Sequence, residues 1–434
     1  MFNCMKKILC LVASYGAVIA GLLICTACSD REKYIALNRG SLKTETWLEV
    51  EKNETVKICI DSKVQVWNTA LDSEILGESC LKVRVPTLIG VSKINVKFSD
   101  TESALKINLA VGMKYLDFKN EEVLLGSNIP KRGYKDEERL ARITGTFLVD
   151  KYPVTNCEFL QLMWDDIHFD SNDNWFEKTW TQRKKIAVRN DNCNKHDSAS
   201  NSISLYQAMK YANKRSIREG LKPYYTFSEA TFPKNEVAYN KIISEGQYII
   251  SYRDFIHHDE TRIKVSVDSS SDGYRLPYYD EWMMFARCGD KKNKAPWGDS
   301  ATFKEVQKYA KFNDKTEYYE KINSSITGPV GQLQPNGYGL YDMFGLVEEL
   351  VLLESPKKFK RLHVLSRPDS NRPKKIGNVS CKTNCPSYLK GGGADDNWQN
   401  INYGYYSYGS IGGFRLIRNI GNNVKWTEVK SDKE

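Results

Sequence analysis

The chain has 434 residues, 41% of them hydrophobic, and a formal net charge of +9, which is length and apolar content enough for one large core and a second, smaller one. Its 63 basic and 54 acidic residues are scattered among one another, and the mild basic excess in residues 357–375 reads as a solvated loop. No stretch resembles a nucleic-acid-binding motif, so no nucleic-acid partner is expected.

Residues 1–27 open the chain with Lys6 and Lys7 ahead of an apolar run with small residues in it. This is the pattern of a secretory signal, because the polar flank arrives too early for a membrane span. Small residues before Cys28 resemble a bacterial lipobox, which makes Cys28 the lipidation site and the mature N-terminus. Cys25 departs from that pattern, where Leu, Val or Ile is usual, so an ordinary signal peptide or an uncleaved anchor is the alternative. The expected location is the cell envelope, with the chain exported and held by a lipid anchor. Ser29 after the cysteine favours the outer membrane. In an oxidising compartment the seven cysteines beyond Cys28 can pair, and their odd number leaves one thiol free unless a partner supplies its mate. The local pairs are Cys59 with Cys80 and Cys381 with Cys385.

Residues 28–115 contain six short runs that mostly alternate apolar and polar residues: 47–50, 56–60, 64–67, 81–85, 94–98 and 105–109. Period two over short, regularly spaced runs predicts a small all-β, antiparallel sandwich, immunoglobulin-like in its spacing. No residue in it suggests chemistry, and its expected role is a spacer.

Further on, Thr155 or Asn156 is placed to cap a helix that runs through 157–164. Residues 165–200 are polar and read as an inserted loop. Ser204 caps a second helix with Leu205, Ala208, Met209 and Ala212 on one face. Residues 248–252 and 263–267 suggest an extra hairpin. Gly273-Tyr-Arg-Leu-Pro277 is extended up to its proline. A helix follows, with Asp280 and Glu281 in its first turn and Trp282, Phe285 and Ala286 at helical spacing.

These segments come with others in a set order: Phe147-Leu-Val-Asp-Lys-Tyr-Pro-Val-Thr-Asn156, Ser204-Leu-Tyr-Gln-Ala-Met-Lys-Tyr-Ala-Asn213, Pro296-Trp-Gly-Asp299, Asn336-Gly-Tyr-Gly-Leu-Tyr-Asp342, Lys390-Gly-Gly-Gly393 and Gly413-Phe-Arg-Leu-Ile-Arg418. Together they resemble the formylglycine-generating enzyme, or sulfatase-modifying factor, family. The resemblance implies an α+β domain of C-type-lectin-like fold over residues 120–420, with residues 421–434 left as a polar tail. It also implies a first strand and turn at 123–127 and a strand at 223–227.

In the catalytic relatives a cysteine pair between the glycine-rich strand and Gly-Phe-Arg binds copper and activates oxygen; thiolates suit that soft ion. Residues 394–412, which fill the interval here, contain no cysteine, so neither copper nor the oxidase activity is expected. Cys381 and Cys385 lie on the wrong side of the glycines. The iron-dependent branch uses histidines and an extra helical domain. The five histidines here, His168, His196, His257, His258 and His363, lack ligand spacing. The resemblance does imply a calcium ion, held by the Asp342 and Glu349 carboxylates and the Gly345 and Val347 carbonyls. Leu346, Glu348 and Leu350 depart from the family's Asn, Trp and Trp, and Lys311 replaces an Asn at a second calcium site. Asp395, Asn397, Trp398, Asn400, Tyr403, Tyr405 and Tyr406 fall where lectin-type relatives carry their ligand face, in a composition that suits adaptable recognition.

The expected function is ligand binding or envelope assembly, with a protein or glycan as ligand. The alternative is an oxygen-dependent protein-modifying enzyme with an atypical metal site. Cys28→Ser should release the protein from membranes into a soluble fraction; a variant that stays with the membrane, with the precursor uncut, contradicts lipidation at Cys28.

Overall fold

The computed structural model describes residues 32–101, 104–125, 139–163, 198–201, 203–229, 247–253, 260–288, 295–298, 302–312, 328–352, 387–390 and 411–429. The chain divides into two compact units, Met1–Gly112 and Met113–Glu434. The division falls earlier than composition suggested, at Gly112, whose φ of +65° is one that glycine adopts without strain.

The first unit contains β1 (Glu32–Leu37), β2 (Glu45–Val50), β3 (Thr55–Ile60), β4 (Val66–Thr69), β5 (Ser73–Leu76), β6 (Cys80–Arg84), β7 (Gly90–Lys97) and β8 (Leu105–Val111). They form two four-stranded sheets, ordered β1-β3-β6-β5 and β2-β8-β7-β4. The apolar positions of the alternating runs supply one shared core, including Val56, Ile58, Leu81 and Val83 from one sheet and Ile94, Val96, Ile107 and Leu109 from the other. Burying each such side chain is worth about 1.5–3 kcal/mol. The expectation of antiparallel pairing throughout is corrected: β1 runs parallel to β3, and β2 parallel to β8. Alternation reports which face of a strand is buried and is silent on the direction of its neighbour. Cys59 and Cys80 face each other across β3 and β6 and are joined by a disulfide, the local pair expected.

The second unit contains β9 (Met113–Leu125), β10 (Arg139–Asp150), α1 (Asn156–Met163), β11 (Ile203–Ser204), α2 (Leu205–Arg218), β12 (Tyr225–Glu229), β13 (Gln247–Arg253), β14 (Glu260–Val267), β15 (Tyr274–Arg275), α3 (Tyr279–Arg287), α4 (Phe303–Val306), β16 (Glu349–Leu352), β17 (Ser387–Lys390), β18 (Ile411–Gly412) and β19 (Ile417–Glu428). This is a mixed, sheet-rich architecture with few helices, of the α+β class. Its main sheet has the order β15-β19-β10-β9. The expected first strand near residue 123 is the end of the longer β9, whose start at Met113 carries no clear alternation. The expected extra hairpin is β13 with β14, and β12 pairs on the other side of β14.

Local chemistry starts α1, α2 and α3 where the residues indicated. Thr155 caps α1 in a reciprocal box: its hydroxyl accepts from the Glu158 amide at 3.3 Å, and Glu158 accepts from the Thr155 amide at 3.0 Å. Ser204 and Gln207 do the same for α2. Glu281 holds the start of α3 by accepting from the Tyr278 amide at 2.8 Å. Helix α3 buries Trp282 and Phe285, and Phe285 packs edge-on against Phe147 of β10 with ring centres 5.6 Å apart. Among the described residues no helix is long and apolar enough to cross a membrane.

The Cys59–Cys80 bridge closes a loop of 21 residues, for which chain entropy predicts about 3 kcal/mol of stabilisation. Replacing both cysteines with serine should therefore lower the unfolding midpoint of the first unit, measured by chemical denaturation, and leave the second unit's transition unmoved.

Candidate functional site

Strand β10 ends in Asp150, after an apolar run that carries it fully inside. Arg215, on the inner face of α2, meets it there: one Nη1 donates to both Asp150 oxygens at 2.9 Å. The Arg215 guanidinium also lies 3.9 Å above the Tyr274 ring, a cation–π contact in a dry setting. Asp150 accepts in addition from the Leu416 amide at 3.0 Å, so this pair ties β10 and α2 to the segment before β19. Burial pushes the Asp150 carboxyl up, with the Arg215 charge and the Leu416 amide pulling it back. For Arg215, burial alone would lower the guanidinium, and the Asp150 charge reverses that.

Two further pairs repeat the device. Arg275 of β15 forks onto Glu281 of α3 with two bonds of 2.7 Å and reaches Asn419 at 3.0 Å. Arg415 forks onto Glu349, the first residue of β16, with Nη2 to Oε1 at 2.6 Å and Nε to Oε2 at 2.8 Å. Trp282 Nε1 donates to the same Glu349 Oε2 at 2.8 Å. None of Asp150, Arg215, Arg275, Glu281 or Arg415 was singled out as a site residue from the sequence. The available signal was a charge set within apolar residues, as in Leu148-Val-Asp150 and Phe414-Arg-Leu416.

The loop from Gly328 to Glu349 is held close to this cluster. Gly345 has φ +71°, and a Cβ there would lie 2.2 Å from the Lys311 carbonyl oxygen. Leu346 follows with φ +61°, a region where an Asn is tolerated better than a branched apolar residue. Its side chain is buried with Ala199, Val330 and Val347, which offsets that strain. Gly413 is equally confined, since a Cβ would meet Val347 at 2.6 Å and the Ser200 carbonyl at 2.8 Å. Close approach lets the Gly413 amide donate to Glu348 O, and the Leu350 amide to Gly413 O, both at 2.8 Å.

The four residues assigned to calcium lie in this one loop, but groups of three of them, Asp342, Gly345 and Glu349, are engaged elsewhere. Both Glu349 oxygens accept from Arg415, and one also from Trp282. Asp342 Oδ2 accepts from the Gly331 amide at 2.6 Å, and Gly345 O from the Val347 amide at 2.7 Å. Burial pushes the Asp342 carboxyl up to about 6, against the Gly331 amide and the Arg415 charge; Glu349 adds to the rise. Among the described residues no group of three or more His, Cys, Asp or Glu is placed to hold a metal ion. Calcium wants six to eight oxygens, and as placed these donors do not fit it. The recognition residues Asp395, Asn397, Trp398, Asn400, Tyr403, Tyr405 and Tyr406 lie outside the described residues, as do Cys28, Cys381, Cys385 and all five histidines. Cys157 is disulfide-bonded, and Cys288, which is in no disulfide, accepts from the Gly337 amide through its Sγ at 3.0 Å.

Residues 122–420 match the family described as Sulfatase-modifying factor enzyme 1-like domain. Among characterised proteins, the chain is 32% identical over 155 residues to Chaperone protein LppX of Paenibacillus barcinonensis, a match covering 34% of this chain and 49% of that protein. It is 35% identical over 79 residues to the formylglycine-generating enzyme of Thermomonospora curvata, covering 18% of this chain and 26% of the enzyme. The chain thus spans about half, or less, of the curated relatives it matches. Among solved structures, Treponema denticola variable protein 1 superposes with a TM-score of 0.43 at 18% identity, covering 81% of this chain and all of that one.

Removing one partner of a buried ion pair strands the other charge, at about 3–5 kcal/mol. Asp150→Ala and Arg215→Ala should each lose that much in denaturant titrations. The double replacement Asp150→Leu with Arg215→Met should recover most of it, because no charge is then left buried.

Proposed function

The chain belongs to the sulfatase-modifying factor enzyme 1-like family, and we propose that it uses the family's domain for recognition, as an exported, lipid-anchored binding or assembly component of the cell envelope, on the outer membrane. The observation that carries this reading is the interval before Gly413: residues 394–412 contain no cysteine. The oxidase chemistry of the relatives needs two thiolates there, and no common pair of side chains replaces them for a soft monovalent metal.

The frame around that interval supports a binding role. Lys390, just before it, pairs with Glu349 across β16 and β17, and Gly413, just after it, is bridged to Glu349 as well. The residues flanking the segment that holds Asp395, Asn397, Trp398, Asn400, Tyr403, Tyr405 and Tyr406 therefore both pair with the backbone of Glu349, whose carboxylate is held by Arg415 and Trp282. A segment anchored at both ends and dense in Tyr, Asn and Ser suits a protein or glycan ligand, which adaptable hydrogen bonds and stiff aromatic rings recognise. The signal-like residues 1–27 and Cys28 support export and anchoring, and similarity to a protein named as a chaperone supports a binding role. The first unit, with the small immunoglobulin-like sandwich that its sequence pattern suggests, serves as a spacer.

The family assignment and the similarity to a formylglycine-generating enzyme favour a second reading, an oxygen-dependent modifying enzyme with a different metal site. One set of measurements separates the two. Purified full-length protein should contain no stoichiometric copper or iron by elemental analysis. It should consume no oxygen with cysteine-containing sulfatase peptides, with or without added copper. Formylglycine on such a peptide in mass spectrometry would establish the enzyme instead.

A further inference from the structure

We infer that the Arg415 guanidinium is itself the cation that closes the loop at residues 342–349, taking the place of the calcium ion that the family resemblance implies there. The guanidinium is surrounded by oxygens drawn from three separate stretches of chain. Glu349 offers both carboxylate oxygens, at 2.6 and 2.8 Å. Tyr341 offers its carbonyl to Nη2 at 2.9 Å, and Asp150 and Lys151 offer theirs to Nη1 at 3.2 and 3.3 Å. A carboxylate with several backbone carbonyls is the mixture that a hard divalent cation collects. Here the collecting group is a planar side chain whose Nε and both terminal nitrogens are all engaged, in the fork geometry that suits arginine and no other residue.

The Glu349 carboxylate that calcium would need is the one this arrangement consumes. Glu349 could reach an ion only by surrendering charge-assisted bonds to Arg415 or its bond from Trp282. Asp342 is turned to the Gly331 amide, and the Gly345 carbonyl to the Val347 amide. Lys311 adds a second positive charge near the loop: its Nζ lies 2.2 Å from where a Gly328 Cβ would stand, and its charge favours the Asp342 anion. A covalently attached cation cannot dissociate or be chelated, so the loop keeps its closure at any calcium concentration.

Thermal melting of the purified full-length chain in chelator, in excess calcium and in excess magnesium tests this directly. The expected result is one melting temperature in all three, with no bound calcium by elemental analysis. A rise of several degrees with calcium alone, as mass action gives for a ligand of the folded state, overturns the inference. Glu349→Gln supplies a second readout, because it removes the charge and keeps the shape. It should lower the melting temperature by the same several degrees in chelator and in calcium, since Arg415 loses its partner in both. A variant that matches wild type in chelator and falls below it only in calcium identifies Glu349 as an ion ligand and refutes the proposal. Should the variant fail to fold, the wild-type melts decide the question alone.

Discussion

Burying an arginine commits a fold to a carboxylate at one place. The desolvation of a guanidinium amounts to several kcal/mol even after relaxation, and only a well-aligned partner with further acceptors recovers it. This protein makes that commitment at Arg215, Arg275 and Arg415, each forked or doubly bonded to an acid that is itself inside. The pairs contribute less to net stability than apolar residues of the same volume would, and more to position. A hydrophobic cluster tolerates sliding by a fraction of an ångström, but two parallel hydrogen bonds to a planar group do not. The junctions of β10 with α2, β15 with α3 and β16 with the segment before β19 are thereby held in register.

The loop that carries Asp342 and Glu349 shows how backbone and charge are made to agree. Asp342, Gly345 and Leu346 all take left-handed backbone conformations, which bends the chain tightly enough to bring Glu349 onto Arg415 and Trp282. Leu346 is the one of the three least suited to that conformation, and its burial beside Val330 and Ala199 is what makes it tenable. An Asn reaches that conformation more readily, because its short polar side chain can hydrogen-bond locally. Here apolar packing offsets the strain instead.

What could be read from the sequence follows the range of the interaction concerned. Caps act over three residues, so Ser204, and Thr155 as one of two candidates, were legible as caps, while the Glu158 and Gln207 that complete their boxes were not singled out. Alternation over four or five residues located β2, β3, β6 and β8 and the core that their buried faces form. It missed β1 and β5 and misjudged the direction of two pairings, because neighbour identity is settled between strands and not along them. The charge network was not legible at all. Glu349 could be named as a carboxylate in a recognisable motif, but its pairing with Arg415 depends on a residue 66 positions away. Family resemblance carried the assignment of residues 122–420 to one domain family.

Strand β19 has a consequence for how the polypeptide comes to be folded at all. It lies between β10 and β15 in the main sheet, an interior place, although it follows both of them in the chain. Arg415, just ahead of it, bonds the Asp150 carbonyl across 265 positions of sequence. Until the ribosome has delivered that stretch, β10 has an open edge, and Asp150 and Arg215 lack the Leu416 amide that completes their site. Closure across such a distance is slow, and an unfinished sheet is prone to wrong partners. The main sheet of the second unit is therefore completed by its most distant pairing, and contacts of such long range are the slow ones to close.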